Sequence, residues 1–150
     1  MKTSNLPLFI GLLGSLEVRQ FLGGPVPWYL RASQFRQYLR GHPKVGIWVV
    51  RDRQNSKGIG LLVLSPHEGG KDYEVSYQFL PSSWGNGYAA EALEPVILHA
   101  LQDLGFPKII AETQAANARS CKLLSRLGFK QEMTLERHGA QQIIFARLAL

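Results

Sequence analysis

Three runs rich in β-branched and aromatic residues follow one another at residues 45–50, 59–64 and 73–80. Polar, Gly-containing turns at residues 52–58 and 67–72 separate them. Runs of this kind read as strands, the first two as an antiparallel hairpin and all three as a meander. The texture then changes. A loop at residues 81–87 leads into an apolar helix over residues 88–104, and Pro95 inside it predicts a kink, because proline lacks an N–H and clashes with the preceding turn. A strand at 108–113, a helix at 117–127 closed by Gly128, and strands at 129–135 and 141–148 complete the chain. Two helices precede the meander. One covers residues 8–22 and stops at Gly23-Gly24-Pro25; the other covers 32–39, with Phe35, Tyr38 and Leu39 inward, and ends at Gly41-His42-Pro43. The order α-α-β-β-β-α-β-α-β-β predicts a mixed α/β (α+β) domain with helices packed on one sheet.

The chain has 150 residues, 45% of them hydrophobic, which suits one domain spanning residues 1–150. At this size roughly 68–70% of the unfolded surface can be buried without staples. The single cysteine, Cys121, has no internal disulfide partner and reads as buried packing. The four histidines, His42, His67, His99 and His138, are scattered, so no metal is expected. The formal net charge of +6 points to a polyanionic partner without choosing among nucleic acid, an anionic membrane or a phosphate-rich small molecule. Near the N-terminus the apolar run at residues 6–14 is too short to span a membrane, and no cleavage site follows it. Leu6, Phe9, Ile10, Leu13 and Leu16 fit one stripe of an amphipathic helix. The expectation is a cytoplasmic protein with no membrane partner.

The segment at residues 80–89 is the most informative for chemistry. A strand ends, Gly85-x-Gly87 follows, and a helix begins at once. Such glycines let several N–H groups turn toward one point, and the helix start adds unpaired N–H groups and the positive end of its dipole. That arrangement binds phosphate or pyrophosphate. A plain glycine turn joining strand to helix explains the same residues. The GKS/T of a P-loop and the full dinucleotide fingerprint are both absent.

Two motifs together are more specific. Trp84-Gly85-Asn86-Gly87-Tyr88-Ala89-Ala90-Glu91-Ala92 is followed by Asn117-Ala118-Arg119-Ser120, then Leu124, Leu127, Gly128 and Phe129. In this order and spacing they resemble the GNAT superfamily of acetyl-CoA-dependent N-acetyltransferases, and more narrowly its Rim-type branch, over roughly residues 8–148. The resemblance implies the acyl-CoA N-acyltransferase fold, a mostly antiparallel mixed sheet flanked by helices. It implies acetyl-CoA as cosubstrate and an amine acceptor, either a protein N-terminus or a small molecule. Backbone groups of Trp84, Gly85, Asn86, Gly87, Tyr88 and Ala89 would cradle the pyrophosphate, and Phe79 and Leu80 would present backbone groups near the thioester. Asn117 would bind the cofactor arm, Arg119 and Lys122 would meet phosphates, and Ser120 would face the sulfur and serve the leaving thiolate. Glu74 is the first candidate for the base or water relay, and Glu136 is a weaker one.

The sequence also departs from the family. Leu124 stands where many members have tyrosine, although the Rim-type branch commonly has Leu there, and Ser82 replaces a Gln or Arg that would touch the pyrophosphate. Met1 to Asn5 is too short and polar for the family's opening strand, so the expectation is a first strand missing or shortened: the sheet is simply shorter, another chain's segment pairs there as in a homodimer, or the true start lies upstream. Other residues have two readings. Ser120 and Asn117 equally suit helix packing and an N-cap, Glu74 a solvated strand position, and Trp28 and Tyr29 an acceptor pocket or core. A second hypothesis is an acyl-CoA-binding module without catalysis. A third, a nucleic-acid-binding domain, rests on charge alone, and no basic-aromatic recognition motif supports it.

Overall fold

The computed structural model describes residues 1–40 and 46–150. The expected helix stop at Gly41-His42-Pro43, and Val45 of the first strand, lie outside the described residues. The helices are α1 (Leu6–Gly14), α2 (Leu16–Arg19), α3 (Trp28–Arg40), α4 (Tyr88–Leu98) and α5 (Ala118–Arg126). The strands are β1 (Gly46–Arg51), β2 (Gly58–Pro66), β3 (Tyr73–Phe79), β4 (Lys108–Gln114), β5 (Lys130–Arg137) and β6 (Ala140–Leu148). They form one six-stranded sheet in the order β1-β2-β3-β4-β6-β5. The β3–β4 pairing is parallel, whereas β4–β6 and β5–β6 are antiparallel. This is the mixed, helix-flanked sheet expected from the sequence. Among the described residues no strand precedes β1, which lies at an edge of the sheet. Residues 3–5 make a 3-10 turn instead, with the Lys2 N–H donating to Asn5 Oδ1 at 2.8 Å.

The chain divides into two compact units, residues 1–63 with 77–88, and residues 64–76 with 89–150. The first is built on α1 and α3. The single helix expected over residues 8–22 is in fact two. Ser15 takes an extended conformation (φ −78°, ψ 123°) after Gly14, and its Oγ accepts the Val18 N–H at 3.2 Å, so it starts α2 as an N-cap. The buried stripe also differs from the expected one. Leu8, Phe9, Leu12 and Leu13 are buried, while Ile10 is 41% and Leu16 74% exposed. Nearly every residue of α1 is apolar, so periodicity alone does not choose the inward face. The buried stripe meets Val26, Phe35 and Leu61, and Tyr38 and Leu39 pack against the same core, as read from the sequence. The Phe9 ring lies 5.2 Å from Phe35 and 5.0 Å from Tyr38. Trp28 and Tyr29 are exposed and stack edge-on at 5.8 Å, which removes the core reading for both.

In the second unit α4 buries Leu93, Val96 and Ile97. The helix expected to run to residue 104 stays α-helical only to Leu98 and widens into a π turn at His99–Asp103. Pro95 lies one turn upstream, inside α4. Ile109, Ile110 and Ala111 on β4, Leu124 on α5, and Ile144 and Phe145 on β6 are buried. Gly128 has φ 79° and closes α5 in the expected left-handed cap. Arg147 donates to Glu94 through both terminal nitrogens, at 2.8 and 2.9 Å, and to the Leu127 carbonyl at 2.8 Å.

Candidate active site

In the first unit the loop after β3 is held by its own hydrogen bonds. The Leu80 N–H donates to the Ile59 carbonyl at 2.9 Å, fixing the strand end to β2. Because backbone groups alternate along a strand, the Phe79 N–H then faces away from β2. The Leu80 carbonyl accepts the Ser83 N–H at 2.9 Å and the Ser83 hydroxyl at 2.7 Å. The Trp84 indole N–H donates to the Phe79 carbonyl at 2.9 Å, and the Trp84 backbone N–H donates to Pro81 at 3.1 Å. The expected cradle from Trp84 to Ala89 therefore has its first N–H already engaged, and its available donors begin at Gly85.

Gly85 and Gly87 take φ values of 81° and 76°, the left-handed region that side-chain-bearing residues rarely adopt. A Cβ built on either would meet nothing within 4 Å. The turn is open where a side chain would otherwise project. The Asn86 amide donates back to the Ser83 and Trp84 carbonyls at 3.2 and 3.3 Å and braces the turn. Tyr88 opens α4, whose first-turn N–H groups have no intrahelical acceptor. Open space, two left-handed glycines and a helix start fit a pyrophosphate, as coenzyme A would supply.

In the second unit Asn117 is the N-cap of α5, its Oδ1 accepting the Ser120 N–H at 3.2 Å. With that oxygen engaged, its NH2 is the group left to reach a cofactor. Arg119 and Lys122 are exposed and Ser120 is half-buried. Leu124 is 1% exposed, so core packing occupies the place where many relatives carry tyrosine. Cys121 is half-buried, and burial pushes its thiol above the usual range.

The same unit holds a cluster that sequence reasoning found only through Glu74. The β3–β4 ladder joins Tyr73 to Ile109 and Glu74 to Ile110 at the strand starts. Glu112 follows two residues later on the same face of β4. Its Oε1 accepts the Arg137 Nε–H at 3.0 Å, and its Oε2 accepts the Arg137 Nη2–H and lies 2.6 Å from His67 Nε2. A carboxylate oxygen only accepts, so Nε2 carries a proton and donates. Arg137 Nη2, 3.0 Å from that nitrogen, is then a neighbour and not its donor. The Glu74 carboxyl is 3.9 Å from Nε2. His67 is buried, with a relative exposure of 7%. Burial pushes Glu74 above the usual carboxylate range, with the nearby Glu112 charge adding to it, while His67, the Glu112 N–H and Arg137 oppose. Burial also raises Glu112, but hydrogen bonds from Arg137 and His67 outweigh it and hold that carboxyl low. Glu136 is exposed on β5, opposite Gln141; its neighbour Arg137 is the residue that joins the cluster. Glu112 and Arg137 carry no motif of their own, and a buried histidine beside a turn leaves no periodic trace.

The family described as "Acetyltransferase (GNAT) domain" matches residues 2–130. The chain belongs to the GNAT acetyltransferase family. An uncharacterized N-acetyltransferase, YoaA, of Bacillus subtilis is 32% identical over 68 residues, 45% of this chain and 38% of that protein. Across the first curated relatives the GNAT chain spans 38–61% of their own lengths. Spermidine N-acetyltransferase from Vibrio cholerae, solved with CoA and spermine, superposes with a TM-score of 0.83 at 16% identity, covering 99% of this chain and 92% of that one. Ribosomal-protein-S5-alanine acetyltransferase from Vibrio fischeri superposes with a TM-score of 0.72 at 18% identity, covering 99% and 90%. At these identities the likeness shows the GNAT fold. Among the described residues no group of three or more His, Cys, Asp or Glu is arranged to hold a metal ion, and no helix is long and apolar enough to cross a membrane.

Proposed function

We propose that the protein is an acetyl-CoA-dependent N-acetyltransferase acting on an amine, with residues 1–150 working as one domain. The observation that carries this is the open, left-handed Gly85-Asn86-Gly87 turn running straight into α4 in a chain of this family. Bound acetyl-CoA supplies an activated acetyl thioester. The N–H groups from Gly85 to Ala89 bind its pyrophosphate, the Asn117 NH2 binds its arm, and Arg119 and Lys122 meet phosphate charge. The Phe79 N–H, turned away from β2, serves as the donor for the oxyanion. One such donor is worth about 2.7–4 kcal/mol of barrier. Glu74 takes the proton from the acceptor nitrogen, directly or through water, as that nitrogen bonds to the acetyl carbon. The C–S bond breaks, and Ser120 hydrogen-bonds the departing thiolate.

The acceptor is either a protein N-terminus, as in the Rim-type branch, or a small-molecule amine. Likeness to the ribosomal-protein-S5-alanine acetyltransferase of Vibrio fischeri supports the first and likeness to the spermidine N-acetyltransferase of Vibrio cholerae the second. We place the protein in the cytoplasm, where acetyl-CoA and both acceptor types are found, acting without a metal. The open edge at β1 leaves a homodimer as the assembly to look for. A second reading, a coenzyme-binding module without catalysis, is favoured by buried Leu124, which leaves that position without a hydroxyl. Thiol release from acetyl-CoA, measured over a panel of polyamines, antibiotic amines and peptides with free N-termini, decides between them. Amine-dependent release is expected. Cofactor binding without release for any amine would favour the module.

A further inference from the structure

His67, Glu112 and Arg137 have no assigned part in the reaction, yet they surround Glu74. His67 Nε2 lies 2.6 Å from Glu112 Oε2, to which it donates, and 3.9 Å from Glu74 Oε2, close enough to act on it only through space. Arg137 is the fixed cation of the group, held by Glu112 on one side and in the field of Glu68 on another. Glu112 is hydrogen-bonded by both Arg137 and His67, which makes it a poor proton acceptor. We propose that His67 and Glu112 are positioning residues that set, in opposite directions, the pH at which Glu74 is ionised and ready to accept a proton. A charge on His67, whose Nε2 is 3.9 Å from Glu74 Oε2, would hold the Glu74 carboxylate ionised, while Glu112, a like charge, pushes it toward its neutral form. The functional part of this rests on Glu74 being the base for acetyl transfer.

The test is a carbon-13 NMR titration of the Glu74 side-chain carboxyl in the full chain, beside the pH profile of kcat/KM. His67→Gln keeps an N–H donor for Glu112 but never carries the charge. It should move the Glu74 midpoint up by about one pH unit, the scale expected for an opposite charge about 4 Å away. Glu112→Gln removes the like charge and leaves Arg137 uncompensated; the midpoint should fall by a similar amount. Should His67→Gln not fold, His67→Asn takes its place. Midpoints that stay put, or that move the same way in both variants, overturn the proposal. If the midpoints move as expected and the acid limb of kcat/KM follows them, both the tuning and the role of Glu74 stand. If the midpoints move and the limb does not, the tuning stands and Glu74 loses its place as base.

Discussion

Glu74 and Glu112 are two carboxylates on neighbouring strands with opposite fates. Glu112 is gripped through both oxygens, whereas Glu74 lies 3.9 Å from the His67 imidazole without a hydrogen bond to it. A base has to be ionised yet willing to protonate, so Glu74 is the better suited of the two. Replacing it by Gln should lower kcat by about 10²–10⁴-fold, the usual worth of a general base. Acetyl-CoA should still raise the melting temperature of that variant, because the cradle residues are untouched; loss of the shift would give Glu74 a structural role instead. Glu112 carries a separate stability prediction. Its folded pKa is depressed, so its contribution is present above the unfolded carboxylate value and is lost as pH falls through the folded one. Acid unfolding followed by circular dichroism should therefore be less pH-dependent in Glu112→Gln than in the parent over that interval. An equally steep loss would mean that the Arg137 contact contributes nothing.

At the scale of elements, the cradle and the start of α5 do different work. The cradle is a backbone device, and its glycines matter for conformation and for the space above them. Gly87→Arg would force a side chain into the left-handed region and into that open space. It should abolish the acetyl-CoA-induced thermal shift while leaving the fold detectable by circular dichroism; a normal shift would mean the pyrophosphate binds elsewhere. Asn117 joins a cap to a proposed contact. Asn117→Ala should lower stability by about 1 kcal/mol for the lost cap. It should also weaken acetyl-CoA binding in calorimetry. Stability loss with unchanged affinity would leave Asn117 as a cap alone. The loop-helix and the α5 motif were legible in the sequence because their requirements are local: positive φ at a glycine, a cap three residues before its N–H. The break at Ser15 was harder to see, since the apolar run through Leu16 reads as one helix until the Ser15 side chain accepts the Val18 N–H.

For the whole molecule, binding is linked to stability. At acetyl-CoA concentrations 100-fold above Kd, the folded state should gain about 2.7 kcal/mol. For a chain of this size that raises Tm by roughly 5–10 °C in a thermal-shift measurement. No shift at millimolar acetyl-CoA would remove both coenzyme readings together. The charge of +6 is a weaker guide than it looks, because the residues 84–89 contain no charged side chain. The phosphate recognition proposed there would depend on N–H groups and a helix dipole, which composition does not count. The sequence by itself determined the element order apart from the break at Ser15, the glycine loop before α4, the α5 cap and the family, because each rests on neighbours within a few residues or on two motifs at a set spacing. The tertiary structure alone decided which face of α1 is buried, that the Trp84 N–H is already engaged, and that residues 67, 74, 112 and 137 share one charge cluster. The reason is physical: burial and electrostatics depend on distance through space, and here the β3–β4 register and the position of β5 set those distances.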